Sequence, residues 1–157
     1  MKIIGINPET GVEYQAEAKG IDSDFLKFLA NFEMSEESVK RQIDGLDISA
    51  DVKLLLYKFS SATITVGQYI VKLGRKIIDI VCTICREFPN TTFQVIFWSV
   101  VGLMVSSIPI IGAVLGSVCT PILAAFGVIN ALRDEIKNEA LQRTISQITS
   151  MFFPLMA

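Results

Sequence analysis

The residues best able to carry chemistry in this chain are its three cysteines, because the 157-residue sequence contains no histidine. Cys82 and Cys85 form a CxxC pair, and Cys119 is the third. A redox CxxC needs a helix N-terminus, where the dipole lowers the thiol pKa, whereas this pair lies late in an apolar helical stretch. A structural zinc site needs four ligands, which these cysteines do not supply. The cysteines are therefore predicted to be packing residues, with no metal site.

The absence of histidine also removes the usual general acid–base group and the Ser–His and Cys–His nucleophile pairs. Acidic residues are numerous before residue 48, but their spacing is not that of an EF-hand loop. No phosphate-binding glycine pattern occurs either. We therefore expect no enzyme activity, no catalytic residues and no cofactor.

An uncharged run of 45 residues, from Phe88 to Leu132, dominates the second half of the chain. A membrane-spanning helix needs about 20 mostly apolar residues, so the run is long enough for two passes. The segment from Ser106 to Gly112, which contains Pro109, provides a turn near its middle. The run predicts a helical hairpin inserted in a lipid bilayer. The alternative is a hairpin buried inside a bundle of covering helices.

Basic residues flank this run on both sides, at Arg86 before it and Arg133 after it, while the turn carries no charge. Under the positive-inside tendency, both flanks are expected on the cytoplasmic side of an inner or cell membrane. The first residues also lack the apolar segment of a signal peptide. Both termini are therefore expected in the cytoplasm.

Small residues recur at helical spacing in both arms of the hairpin. Gly112, Gly116 and Thr120 extend a GxxxG pattern in the second arm, and Gly102 and Ser106 form a similar pair in the first. Such spacing lets helix backbones approach closely. These residues predict the interface of a homo-oligomer; the alternative is arm-to-arm packing within one hairpin.

Polar residues near the hairpin are candidates for a pore. Gln94 and Asn130 lie at opposite ends of the run and come to the same level in a hairpin. They predict a polar ring at a pore mouth; the alternative is a pair of interfacial residues with local hydrogen bonds. Four basic residues before the run are predicted to face the membrane or line a vestibule: Lys72, Arg75, Lys76 and Arg86.

The remaining segments predict a mainly α protein, in which amphipathic helices flank the membrane-inserted hairpin. Residues 1–48 are predicted to form an acidic cytoplasmic head with a β-hairpin over 2–18 and two short helices. Ser23, Ser35 and Ser49 are predicted helix caps, and Gly45 a helix stop. The other segments are a long amphipathic helix over 49–88, the hydrophobic hairpin over 89–132 and an amphipathic C-terminal helix over 133–157.

Charge is unevenly distributed, since Met1 to Lys53 carries a net −5 and the rest a net +3. The basic residues are spread rather than clustered, so no nucleic-acid partner is expected. Two functions fit this pattern. The first is a homo-oligomeric membrane protein that forms or gates a pore or perturbs the membrane, as a toxin or antiviral-defence effector. The second is a non-conducting, membrane-anchored adaptor whose acidic head recruits a soluble partner.

Overall fold

The structure is a computed structural model that describes residues 1–32, 34–125 and 139–155. Within these residues the protein is mainly helical, as the sequence predicts, with a small antiparallel sheet of four strands. In chain order the elements are β1 (Lys2–Ile6), β2 (Glu13–Glu17), α1 (Ser23–Ala30), α2 (Glu36–Asp44), α3 (Ala50–Ser60), β3 (Ile64–Val66), β4 (Tyr69–Val71), α4 (Leu73–Glu87), α5 (Phe93–Ser107), α6 (Pro109–Ala125) and α7 (Glu139–Ser150). A 3₁₀ turn, Phe153–Leu155, follows α7.

The predicted N-terminal β-hairpin and the capped helices after it are present. β1 and β2 pair antiparallel from Lys2 opposite Glu17 to Ile6 opposite Glu13. The Ser35 and Ser49 hydroxyls accept hydrogen bonds from the first turns of α2 and α3, as N-cap residues do. The first helix differs slightly from the prediction, because Asp22 rather than Ser23 is its cap.

The long amphipathic helix predicted over 49–88 is wrong. The segment contains α3, the β3–β4 hairpin and α4. Six of the eight residues from 64 to 71 are β-branched or aromatic, which favours strands over a helix. Gly67 has φ +62° at the first position of the two-residue loop between the strands, a conformation that glycine adopts without strain. β3 pairs with β1, so the sheet order is β2-β1-β3-β4.

The uncharged run does form a helical hairpin, α5 and α6, but the hairpin is the core of the protein. Both helices are covered by protein: α4 and α7 contact α5, and α3 and the strands β1 and β2 contact α6. Ten of the 15 residues of α4 are buried, so α4 covers the hairpin instead of facing lipid. Residues of the hairpin with no exposed surface include Ile96, Phe97, Val100, Val101, Met104, Ile111, Val114, Leu115, Val118 and Ile122.

Three predictions from the sequence are therefore wrong: that the hairpin is inserted in a membrane, that it is transmembrane and pore-forming, and that the protein is located in a membrane. No helix among the described residues has both the length and the apolar character needed to cross a bilayer. At about 1.5 Å per residue, the 15 residues of α5 span about 22 Å and the 17 of α6 about 26 Å. A hydrocarbon core is about 30 Å thick.

The sheet packs directly on α6. The contact consists of a close approach at Gly5 and of hydrogen bonds made by Asn7. A Cβ atom on Gly5 would lie 2.2 Å from Val114 Cγ2, so only glycine fits there without a shift. Asn7 is buried, and its Nδ2 donates to Ser117 Oγ at 2.9 Å. Its Oδ1 accepts the backbone N–H of Glu9 at 2.9 Å, which fixes the β1–β2 turn. Asn7 therefore joins the turn to the core hairpin.

The amphipathic C-terminal helix is present as α7. Leu141 and Ile145 of the predicted apolar stripe are buried, Ile148 is half-buried, and Phe152 just after the helix has no exposed surface. The Phe152 ring packs edge-on against Phe28 of α1, with ring centroids 5.3 Å apart. The C-terminal segment therefore closes the core against the N-terminal head.

Candidate functional site

A groove of about 520 Å³ lies between α1 and the outer strand β4. Its first wall includes Leu26 of α1 and Phe32, which follows α1. Leu29 of α1 also belongs to this wall and has no exposed surface. Its opposite wall is β4 itself, Tyr69 to Val71. The volume lies within the range typical of ligand pockets, about 300 to 1,000 Å³. The groove is therefore large enough to hold several side chains or a short stretch of extended chain.

The β4 wall carries the most exposed apolar surface of the described residues. Ile70 is 75% exposed, more than any other large apolar side chain described, and its neighbour Tyr69 is 61% exposed. A single exposed apolar side chain is normal on a protein surface. Two such residues that line the same groove mark the β4 edge as a candidate binding surface.

The backbone of β4 is also unpaired on its outer side, because β4 is an end strand of the sheet. Thr65 of β3 pairs with β1, and Gly67 N donates to Lys2 O at 2.9 Å. Since alternate residues of a strand direct their N–H and C=O to opposite sides, positions 64 and 66 of β3 face β4. Tyr69 pairs with position 66, so Ile70 directs its N–H and C=O to the open edge. An open edge of this kind is a template for another strand.

Three cations border the groove: Lys27 of α1, Lys72 between β4 and α4, and Arg75 of α4. No carboxylate lines the groove among the described residues. The Arg75 guanidinium lies 4.4 Å above the Phe32 ring, and its Nη2 donates to Met34 O at 3.4 Å. The site is therefore basic, although it is built partly from the acidic head.

Two buried charged residues of α4 hold the segment after α1 in place. Lys76 Nζ donates to Asn31 O at 2.5 Å and lies 4.5 Å from the centre of the Phe28 ring. The Asp79 carboxylate, which is 2% exposed, accepts the Met34 N–H at 3.0 Å. The predicted membrane-facing or vestibule role of Lys76 is wrong, since its side chain is buried against α1 and the α1–α2 connection.

The four basic residues of the predicted vestibule do not share one surface. Lys72 and Arg75 border the groove and Lys76 is buried, whereas Arg86 lies in the last turn of α4. The 14 positions from Lys72 to Arg86 correspond to about 20 Å of helix. Arg86 Nη2 donates locally to Thr83 Oγ1 at 3.1 Å.

The small residues of the hairpin divide into two environments. A Cβ atom on Gly112 would lie 2.7 Å from Val105 O, so this glycine allows α6 to approach the end of α5 within one hairpin. The same atom on Gly116 meets nothing within 4 Å, and Thr120 is exposed, with its hydroxyl donating to Gly116 O at 2.8 Å. In α5, Gly102 is half-buried and Ser106 is exposed.

The oligomer interface predicted for these small residues stays a prediction. Gln94, predicted at a pore mouth, lies half-buried in the first turn of α5. Its predicted counterpart Asn130 lies outside the described residues, as does Arg133.

The cysteines are packed in the core, as the sequence predicts. Cys82 and Cys119 are buried, Cys85 is half-buried, and all three are free thiols. Burial raises the pKa of Cys82 to about 12, with the neighbouring Cys85 adding to the effect, and burial raises the pKa of Cys119 to about 12. Burial also raises the pKa of Cys85 to about 11, against an opposing effect of Arg86. No group of three or more potential metal ligands occurs in the described part of the chain.

Native thiols are expected to react at least about 100-fold more slowly with iodoacetamide near pH 8 than the same thiols in denaturant, because the thiolate is the nucleophile. A thiol pKa raised from 9.0 to about 11 or 12 reduces the thiolate fraction accordingly. The unfolded thiols ionise first, so the free energy of unfolding should fall as the pH rises above about 9. Mass spectrometry of alkylated peptides measures the rates. Equal rates for native and denatured protein would contradict the burial of these thiols.

A second cavity, of about 570 Å³, lies between α2, α3 and α4. Its lining mixes both signs of charge, with Glu36 and Asp44 beside Lys40, and it shares Lys72 and Arg75 with the α1–β4 groove. The mixture favours no one class of ligand, so the α1–β4 groove is the better candidate site.

The sequence reasoning missed the main residues of the groove, Lys27, Tyr69 and Ile70. The signal that predicts β4 is the stretch from Thr63 to Val71, in which β-branched and aromatic residues surround a Gly-containing two-residue loop. Comparison with protein-family models, curated proteins and solved structures finds no match to this chain. The site therefore rests on its own geometry.

Proposed function

We propose that this protein is a non-enzymatic binding protein that recruits a partner protein by holding an extended segment of it in the α1–β4 groove. The observation that carries the proposal is the exposed pair Tyr69 and Ile70 on an unpaired strand edge that borders a groove. Apolar side-chain contacts and main-chain hydrogen bonds at a sheet edge are together the basis of peptide recognition by strand addition.

This proposal keeps one part of the adaptor function predicted from the sequence and discards the membrane anchor. The recruiting surface is the basic groove between α1 of the head and β4, rather than the acidic surface of the head as a whole. A pore is not proposed, because the hairpin that would form it is the core of the fold. The predicted homo-oligomer and the toxin or antiviral-defence role stay predictions.

Display of a library of random linear peptides tests the proposal. We expect the library to yield enriched peptides. Their binding should be lost in Ile70→Lys, which places a charge at the border of the α1–β4 groove. Leu54→Lys is the matched control, because Leu54 is also a highly exposed aliphatic side chain, 63% exposed on α3, and it does not line the groove. Peptides that bind wild type and Ile70→Lys equally well, or no enrichment over the unmodified support, would overturn the proposal.

A further inference from the structure

The chemistry of the groove border identifies the class of segment that fits it. Resting on the proposed function, we infer that the occupant is an acidic extended segment that adds to β4 as a fifth strand. Three observations support this inference: the outward backbone groups of Ile70, the apolar walls, and the three cations that border the groove.

The backbone provides the alignment. Ile70 presents one N–H and one C=O at the open edge, and a segment lying alongside β4 satisfies both with ladder hydrogen bonds. The groove between β4 and α1 gives the added strand an apolar wall at Leu26 and Phe32. Because side chains alternate along a strand, a segment with apolar residues at every second position places them against that wall.

The charges select the other positions of the segment. Lys27 comes from α1, Lys72 follows β4, and Arg75 comes from α4, so the cations border the groove from three elements. Arg75 Nε is also a buried donor with no hydrogen-bond partner among the described residues. A segment with Asp or Glu at alternate positions complements this border, whereas a basic segment is repelled by it.

The same charges argue against a symmetric pairing of two copies of this chain through β4. Such a pairing would place in one interface two groove borders, each with three cations and no carboxylate among the described residues. Like charges across an interface disfavour the pairing. An acidic segment of a different protein meets no such repulsion.

Three synthetic peptides of equal length test the inference by fluorescence anisotropy at low salt. The first alternates Val and Glu, the second alternates Val and Lys, and the third repeats the first with N-methylated backbone amides at alternate residues. We expect the acidic peptide to bind at least about tenfold more tightly than the basic one, with binding weakened by added salt. N-methylation is expected to weaken binding about tenfold or more, because it removes ladder donors.

A charge-reversed variant, Lys27→Glu with Lys72→Glu, is expected to lose the preference for the acidic peptide. Both lysines are exposed, so the variant retains its fold, which circular dichroism checks. Groove-dependent binding of all three peptides with equal affinity would overturn the inference while leaving the proposed function in place. If none of the three peptides binds, but library peptides bind wild type and not Ile70→Lys, only the inference is overturned. If neither the synthetic nor the library peptides bind, both the inference and the proposed function are overturned.

Discussion

Replacing Gly74 with alanine is expected to lower the free energy of unfolding by about 3 kcal/mol or more, above the usual cost of overpacking. Gly74 is buried in the first turn of α4, and a Cβ atom there would lie 1.7 Å from Phe59 O. The obstacle is a backbone carbonyl, which cannot rotate away as a side chain can. Gly74 N also donates to Ala62 O at 3.1 Å, so the crossing of α3 and α4 is fixed from both sides.

Gly116→Ala is the matched control, since this glycine is also in a helix and its added Cβ would meet nothing within 4 Å. Alanine favours the helix over glycine by up to about 1 kcal/mol, so this variant should be as stable as wild type or slightly more stable. Urea unfolding followed by circular dichroism measures both variants. Equal midpoints for Gly74→Ala and Gly116→Ala would show that α3 and α4 do not cross as described.

Replacing Val100 with aspartate is expected to abolish stable folding. Val100 lies in the middle of α5 and has no exposed surface. A carboxylate placed there loses its hydration without gaining a partner, a change that ranks among the most destabilising single substitutions, at about 4 to 5 kcal/mol or more. That cost is close to the lower end of the total stability of native domains, about 5 to 15 kcal/mol.

Leu103→Asp is the control for this substitution, because it introduces the same side chain one turn along the same helix. Leu103 is 39% exposed, so its aspartate stays hydrated and should cost about 1 kcal/mol. The yield of folded protein and the urea midpoint distinguish the two variants. A Val100→Asp protein as stable as Leu103→Asp would mean that α5 is not covered by α4, α6 and α7.

Local signals in the sequence predicted much of the secondary structure. Ser35, Ser49 and Gly45 mark helix ends because capping depends on neighbouring backbone groups alone. The break between α5 and α6 was predicted because Pro109 lacks the backbone N–H that a helix interior needs. The strands β3 and β4 were missed because apolar residues on both sides of Gly67 are compatible with either a helix or a hairpin. The pairing of β3 with β1, more than 50 residues away, decides for the hairpin.

The environment of the uncharged run was predicted wrongly because hydropathy does not specify what covers an apolar helix. The apolar side chains of α5 are compatible with either lipid or a protein interior. The covering surface comes from α4, whose buried residues include Ile77, Ile78 and Val81, and from β1 and β2, which contact α6. Those two strands were predicted as a hairpin of the head, not as a cover for the uncharged run. The groove was not predicted for a related reason, since α1 and β4 are far apart in the chain and only the tertiary fold places them beside one groove.

Hydrogen–deuterium exchange of the α5 amides from Ile96 to Met104, in buffer without detergent, tests most directly the central claim that the uncharged hairpin is the protein core. Buried core helices exchange only through global opening. We predict that these amides are among the slowest in the protein, with protection that approaches the global free energy of unfolding. Exchange as fast as in the mostly exposed helix α2, Glu36–Asp44, would contradict the claim.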